Sequence, residues 1–405
     1  MVEHMKKTKC HNCGGTLREL TLFRKLARVT SDCRPWPSGG RMGVCSACDL
    51  VQAILSPSWG RECRKIYSTY HIYRQSGGVE QAVFRGGQGT PRSQKIVDWL
   101  KRQARLPMRG QVLDVGCGNG GFLRALRGEF SRWGLSGTEF DRRNEKALRK
   151  IRGFRKLYDS RSTPPAASYD LISLVHVLEH MAGPSEYLKG LRPLARPGAR
   201  VLIQVPDAER NPFILPVADH ASHFSQSSLR RVAERAGIRV KSVRHDVVAR
   251  ELTLLGEWGG TKKDEGHSSG KRGGRKWAEK NLSLLKRMSD EAQRAAKKEK
   301  LVVFGSSLGA AWIHGITRGG VETFLDEDQA RHGRKHLGVP IVRPGMGQGR
   351  GVLVPLAGKT RRSVEKMLRS KKWKIMNGED PARISHKTMV NKNKSVMEKL
   401  NGRKM

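Results

Sequence analysis

Negative charge is scarce in this sequence. Against 78 lysines and arginines stand 37 aspartates and glutamates, so the 405 residues carry a formal net charge of +41. Such a surface attracts anions, whether nucleic acid, anionic lipid or a phosphorylated small molecule. Aromatics are also few, 6% of the chain, which argues against the ring platforms on which single-stranded nucleic acids stack. No run of about 18 apolar residues occurs, which excludes a membrane-spanning helix. The opening MVEHMKKTKCHNCGG lacks the apolar stretch of an export signal, so a cytoplasmic protein is expected. Cysteines number only seven, and an odd count without an export signal excludes a disulfide framework. Hydrophobic residues reach 37%, and a chain this long divides into two or three domains.

The positive charge is spread out. From Leu356 to Met405, fifteen Lys/Arg face four Asp/Glu, a net of +11 that leaves +30 on the other 355 residues. Residues 358–405 therefore read as a basic tail on an already basic protein.

Four of the seven cysteines form two CxxC pairs, Cys10/Cys13 in KCHNCGG and Cys45/Cys48 in GVCSACDL. Two such turns can converge four thiolates on one ion, the usual arrangement for structural zinc. His11 is a competing ligand or an exposed residue. No thioredoxin-like pattern follows, which argues against redox chemistry. The expected module spans residues 1–75, and zinc lets a short segment fold despite a small core.

GQVLDVGCGNGGFLRAL (Gly110–Leu126) is the most informative stretch. A short apolar strand carries Asp114 and runs into a glycine-rich turn with Gly116 and Gly118, followed by helical spacing of Phe122, Leu123 and Leu126. Glycines let a ligand approach the backbone at a helix N-terminus. An acid ahead of the first glycine would repel a pyrophosphate and suit a cation such as S-adenosylmethionine. A second strand, WGLSGTEFD, ends near Glu139, where a doubly wound sheet places a ribose-binding carboxylate. Asp159, in RGFRKLYDS, falls at a third strand end, on the adenine side. SYDLISLVHVLEHM and RPGARVLIQVPD supply a fourth and fifth strand. Strand and helix alternate, so the fold is α/β with a largely parallel sheet.

His176, Glu179 and His180 match the inverted zincin pattern H-x-x-E-H. A zincin presents both histidines on one helix face, and here the match begins inside an apolar strand, so a metallohydrolase is not the favoured reading. Glu179 and His180 are expected on the pocket floor. His176 falls on the cofactor side of the strand end, with packing as its alternative role.

VLDVGCGNG, GTEFD, YDLISLVHVLEHM and LARPGARVLIQVPD together resemble the class I S-adenosylmethionine-dependent methyltransferases. The resemblance implies a Rossmann-like core over residues 76–258, with Asp114, Gly116, Gly118, Glu139, Asp159 and His176 at the cofactor. A Gly/Ser/Lys-rich stretch over 259–276 reads as a flexible linker. Beyond it, KLVVFGSSLGAAWI and VETFLDED read as strand–turn–helix and a second strand, with VLVPL as a third, giving a small α/β unit over 277–357. Zinc module, core and truncated α/β unit together resemble the three-domain C-methyltransferases of deoxysugar biosynthesis, over about residues 8 to 357.

That resemblance implies a nucleotide-linked keto sugar as substrate, deprotonated next to the ketone and methylated as its enolate. The family's His-Glu-His segment matches ADHASHFS. The family glutamate corresponds to Asp219 and its base histidine to His220, so His220 is the expected base and Asp219 its orienter. The preceding family Tyr and His are here Val217 and Ala218, and the aromatic before Phe-Ser is His223. A cluster relaxed in this way also suits O- or N-methylation of a sugar. Tyr67, Tyr70 and Tyr73 are expected either to line the substrate pocket or to pack as an aromatic stripe. The charge and the CxxC pairs leave a basic zinc-containing RNA methyltransferase as the alternative.

Overall fold

The computed structural model describes residues 8–71, 74–85, 88–258 and 273–376. The N-terminal strands β1 (Leu17–Glu19), β2 (Met42–Cys45) and β3 (Val51–Ala53) form an antiparallel sheet, and helix α1 (Pro57–Ser68) follows. Ser56 caps α1 by accepting from the Trp59 N–H, and Pro57 begins it, a start signal that is local in sequence.

Helix α2 (Arg92–Gln103) leads into the central unit. Its strands are β4 (Gly110–Val115), β5 (Trp133–Thr138), β6 (Phe154–Tyr158), β7 (Tyr169–Val175) and β8 (Ala195–Pro206), with helices α3 (Gly121–Glu129) and α4 (Pro184–Leu191) between them. After β8 come the short β9 (Ser222–His223), helix α5 (Gln226–Arg235) and the antiparallel pair β10 (Ile238–Arg244) and β11 (Glu251–Trp258). The seven-stranded order is β6-β5-β4-β7-β8-β11-β10, parallel from β6 through β8. Central strands buried on both faces read as continuous apolar runs, as in VLDV and LISLV. The chain leaves β4 toward β5, then returns to place β7 on the other side. That switch opens a crevice at the strands' C-terminal ends.

The third unit has helix α6 (Gly274–Ala296), β12 (Leu301–Phe304), α7 (Leu308–Ile316), β13 (Val321–Leu325), β14 (Lys335–His336), β15 (Val339–Val342) and helix α8 (Gly358–Ser370), its sheet ordered β12-β13-β15-β14. VLVPL contributes no third strand to that sheet: Leu353 makes a single bridge to Val303, and the third position belongs to β15.

Three boundaries differ from the sequence reading. Strand β9, from the core, completes the N-terminal sheet by pairing His223 with Val51, so residues 1–75 are not a closed unit. Of the expected linker, 259–272 lies outside the described residues. Gly273 and Gly274 lie at the start of α6, and both donate N–H bonds to the Asp49 carboxylate at 2.9–3.1 Å. Residues 358–376 are not tail: Val364 and Leu368, one helical turn apart, bury with Trp373 against Val302, Phe304 and Leu325, and Arg361 of the same helix is buried and pairs with Glu365. Among the described residues no helix is long and apolar enough to cross a membrane.

Candidate active site

After β4 the chain turns through Gly116 (φ +66°), Gly118 (+53°) and Gly120 (+83°), left-handed values that cost other residues energy. A Cβ on Gly116 would lie 2.5 Å from Val177 Cγ2. The turn carries the chain into α3, whose first N–H groups are free to meet a ligand. Glu139, just past β5, accepts hydrogen bonds from the Gly118 and Phe140 N–H groups. Asp159 accepts from the Arg161 N–H at 3.1 Å and from Ser162 Oγ at 3.2 Å. Gly116, Gly118, Glu139, Asp159 and His176 all line one large cavity.

Asp114 does not reach it. Its carboxylate lies buried behind the turn and accepts from Ser173 Oγ at 2.7 Å. Burial pushes its pKa up to about 7, despite the serine, and burial also raises that of Glu139. Two carboxylates held out of water beside a backbone cradle favour a cationic ligand, and S-adenosylmethionine is such a ligand.

The cavity continues past His176, Glu179, His180 and His220 to Tyr67 and Tyr70 of the N-terminal segment. Tyr73 lies outside the described residues. His176 takes a left-handed φ of +57°, and its Nε2 lies 3.1 Å from Glu251, its Nδ1 3.2 Å from Glu179. Residues Leu178–His180 form one turn of 3-10 helix, so His176 and His180 share no helix face and a zincin arrangement is absent.

The expected pairing of Asp219 with His220 does not form. Asp219 accepts from the Ser31 N–H at 2.9 Å and the Ser31 hydroxyl at 2.5 Å. Its own carbonyl lies 3.1 Å from His180 Nδ1 and its carboxylate 3.5 Å from that nitrogen. Asp219 therefore orients His180. The His180 and His220 rings meet edge-on at 4.8 Å, and the Tyr67 hydroxyl contacts His180 Nδ1 at 2.9 Å. Burial, and then the neighbouring imidazoles, lower the His220 pKa well below 6.5, so His220 is neutral at physiological pH. Burial likewise lowers His223 to about 3. His223 lies off the cavity, 5.8 Å from the His220 ring, and is a packing residue. Sequence reasoning missed Ser31 and Glu251, which lie far along the chain from the partners they reach, Asp219 and His176.

The third unit also lines the cavity, with the turn Gly305–Ser307 after β12, the acids Asp326, Glu327 and Asp328, and the cations Arg343, Lys359 and Lys371. Ser306 donates to Asp326 at 2.6 Å, and Arg331 reaches both at 3.0–3.1 Å. The whole space measures about 2180 Å³, against about 300–1,000 Å³ for a single-ligand pocket.

The four expected metal ligands stand together. Sulfur atoms of Cys10, Cys13, Cys45 and Cys48 all lie within 4.8 Å of one another, with Cys10–Cys48 at 3.7 Å and Cys13–Cys45 at 3.5 Å. A tetrahedral ion with bonds of about 2.3 Å has sulfur–sulfur edges near 3.8 Å. N–H groups of Asn12, Ala47 and Cys48 and the Gln52 amide point at sulfur, as they do around thiolates. A Cβ on Gly15 would lie 3.0 Å from Cys45 Sγ. His11 is not a fifth ligand: its Nε2 contacts the Ala221 carbonyl at 3.1 Å, and its Nδ1 accepts from the Gly183 N–H.

Residues 90–243 match the family described as a methyltransferase domain. The ubiquinone biosynthesis O-methyltransferase of Aeromonas salmonicida (strain A449) is 24% identical over 173 residues, covering 36% of this chain and 70% of that protein. Among solved structures, the CurJ carbon methyltransferase superposes with a TM-score of 0.34 at 16% identity, covering 40% of this chain and 53% of that one. The 1,6-didemethyltoxoflavin-N1-methyltransferase of Burkholderia thailandensis, solved with 1,6-didemethyltoxoflavin and S-adenosylhomocysteine, gives 0.40 at 14% identity, covering 54% of this chain and 95% of that one.

Proposed function

We propose that this S-adenosylmethionine-dependent methyltransferase C-methylates a nucleotide-linked sugar at the carbon beside a ketone. The observation that carries the reading is the single continuous cavity. It is lined by the glycine turn and Glu139, by His180 and His220, and by Arg343, Lys359 and Lys371 of the third unit. A space with all three linings suits cofactor, sugar and diphosphate together, and cations suit a diphosphate.

His220 is the base. Neutral and facing the cavity, it takes the proton from the carbon next to the ketone. The electron pair left behind forms the enolate, whose carbon takes the methyl group that S-adenosylmethionine supplies. Ser31, Asp219 and Tyr67 fix His180 against the His220 ring, and that fixed edge sets the orientation of the base. The four cysteines hold a structural zinc ion, which keeps the N-terminal sheet, and with it Ser31 and α1, in place.

O-methylation of a sugar hydroxyl is the second reading, favoured by the O-methyltransferase relative and by the missing Asp219–His220 bond. Calorimetry with S-adenosylhomocysteine and a panel of nucleotide sugars tests the substrate class, and the mass and carbon connectivity of the product separate the two readings. No binding by any nucleotide sugar, with retention on a polyanion column lost steeply in salt, would replace both with an RNA substrate. His220→Gln is expected to keep cofactor binding and lose turnover.

A further inference from the structure

We propose that Glu179, His180 and His220 bind a divalent transition-metal cation at the inner end of the cavity. One ligand atom from each lies within 4.8 Å of the others, a span that bonds of about 2.0–2.2 Å to one ion close by small side-chain rotations. Glu179 is 1% exposed, and neither of its carboxylate oxygens has a hydrogen-bond partner; nor does His220 Nδ1. His176 is the basic group beside that carboxylate, and its other ring nitrogen already faces Glu251. His176 Nδ1, 3.2 Å from Oε1, offsets part of the cost of burying that carboxylate, and a metal cation would offset the rest.

The surroundings of His180 match those of a metal ligand. The Asp219 carbonyl at 3.1 Å from Nδ1 can only accept, and the Tyr67 hydroxyl at 2.9 Å can accept or donate; a hydrogen on Nδ1 satisfies both and leaves the Nε2 lone pair for a metal. Ligating histidines are fixed in this way by a carbonyl on the second nitrogen. Here Ser31, through Asp219, extends that outer shell into the N-terminal segment.

Two imidazoles and one carboxylate select zinc, iron(II), cobalt(II) or manganese over magnesium or calcium. Three protein ligands leave positions open toward the cavity, where a hydroxyl or ketone oxygen of the substrate would bind. The proposal stands on these residues and holds whatever the sugar. A bound cation also takes a lone pair of His220, which competes with that residue's role as free base.

The test counts metal in the full chain after loading with zinc and dialysis. The wild type is expected to hold one ion at the cysteines and a second here, Cys45→Ser to lose the first, and Glu179→Gln or His220→Gln to lose the second. Loss of a ligand should weaken the second ion by on the order of tenfold or more. Retained S-adenosylhomocysteine binding shows that the Glu179 and His220 variants are folded. With cobalt(II), the second site should absorb in the visible without the thiolate charge-transfer band of the first. A wild type that holds one ion, lost with Cys45→Ser, overturns the proposal. So does a second ion that survives both Glu179→Gln and His220→Gln.

Discussion

Ser31 grips the carboxylate of Asp219 with both its backbone N–H and its hydroxyl, across 188 residues of chain. His180, which Asp219 contacts in turn, thus depends on a residue outside the methyltransferase core. Ser31→Ala removes one charge-assisted bond, a loss of about 1.5–3 kcal/mol. Turnover is expected to fall at least about tenfold by that measure, with S-adenosylhomocysteine affinity unchanged. Steady-state kinetics beside calorimetry check it, and equal losses in both would place Ser31 in general stability instead.

Asp114 makes cofactor affinity depend on pH. Its folded pKa of about 7 lies above the ordinary 3.8 because of burial. The folded, cofactor-free protein therefore holds this proton more tightly than the unfolded chain. This contribution to stability is full below pH 4 and is lost as pH rises toward 7. Affinity for cationic S-adenosylmethionine should move the other way, rising as Asp114 ionises. Asp114→Asn should flatten both curves. Thermal unfolding and binding between pH 5.5 and 8, on the order of the titration range, read the two together.

Gly116→Ala should weaken cofactor binding at least about tenfold and destabilise by about 1–3 kcal/mol. The added methyl meets Val177 at 2.5 Å in a left-handed backbone. Gly128→Ala, with open space around its Cβ, is the control and should be neutral or stabilising.

Leu368→Ala should cost about 2–5 kcal/mol, because Leu368 is fully buried in the third unit's small core. Chemical denaturation measures it. A change below about 0.5 kcal/mol would mean that α8 is peripheral.

The parts of this site that were legible in the sequence are those coded by neighbours in the chain. The glycine turn and the strand-end Glu139 each announce themselves within ten residues and line one cavity, and the CxxC pairs, equally local, bring their four sulfurs together elsewhere. The pairing inside ADHASHFS was not legible. Adjacent side chains in a turn point apart, so Asp219 and His220, side by side in sequence, serve different partners. Ser31 carried no local signal, because it meets Asp219 only once Val29 bridges to Val217 across the fold. Helix α8 was hidden by charge: its apolar face is Val364 and Leu368 amid six Lys/Arg from Lys359 to Lys371.

The strand that the core lends to the N-terminal sheet also orders events in time. Residues 42–53 leave the ribosome with one edge unpaired, and the residues that cover it, Ser222 and His223, are made 169 residues after Ala53. At about 5–20 residues per second that gap lasts roughly 10–30 s. During it the four clustered cysteines are already synthesised, while Ser31 has no Asp219 to hold. Slow translation between codons 54 and 222 would lengthen the interval in which that bare edge can pair with another chain.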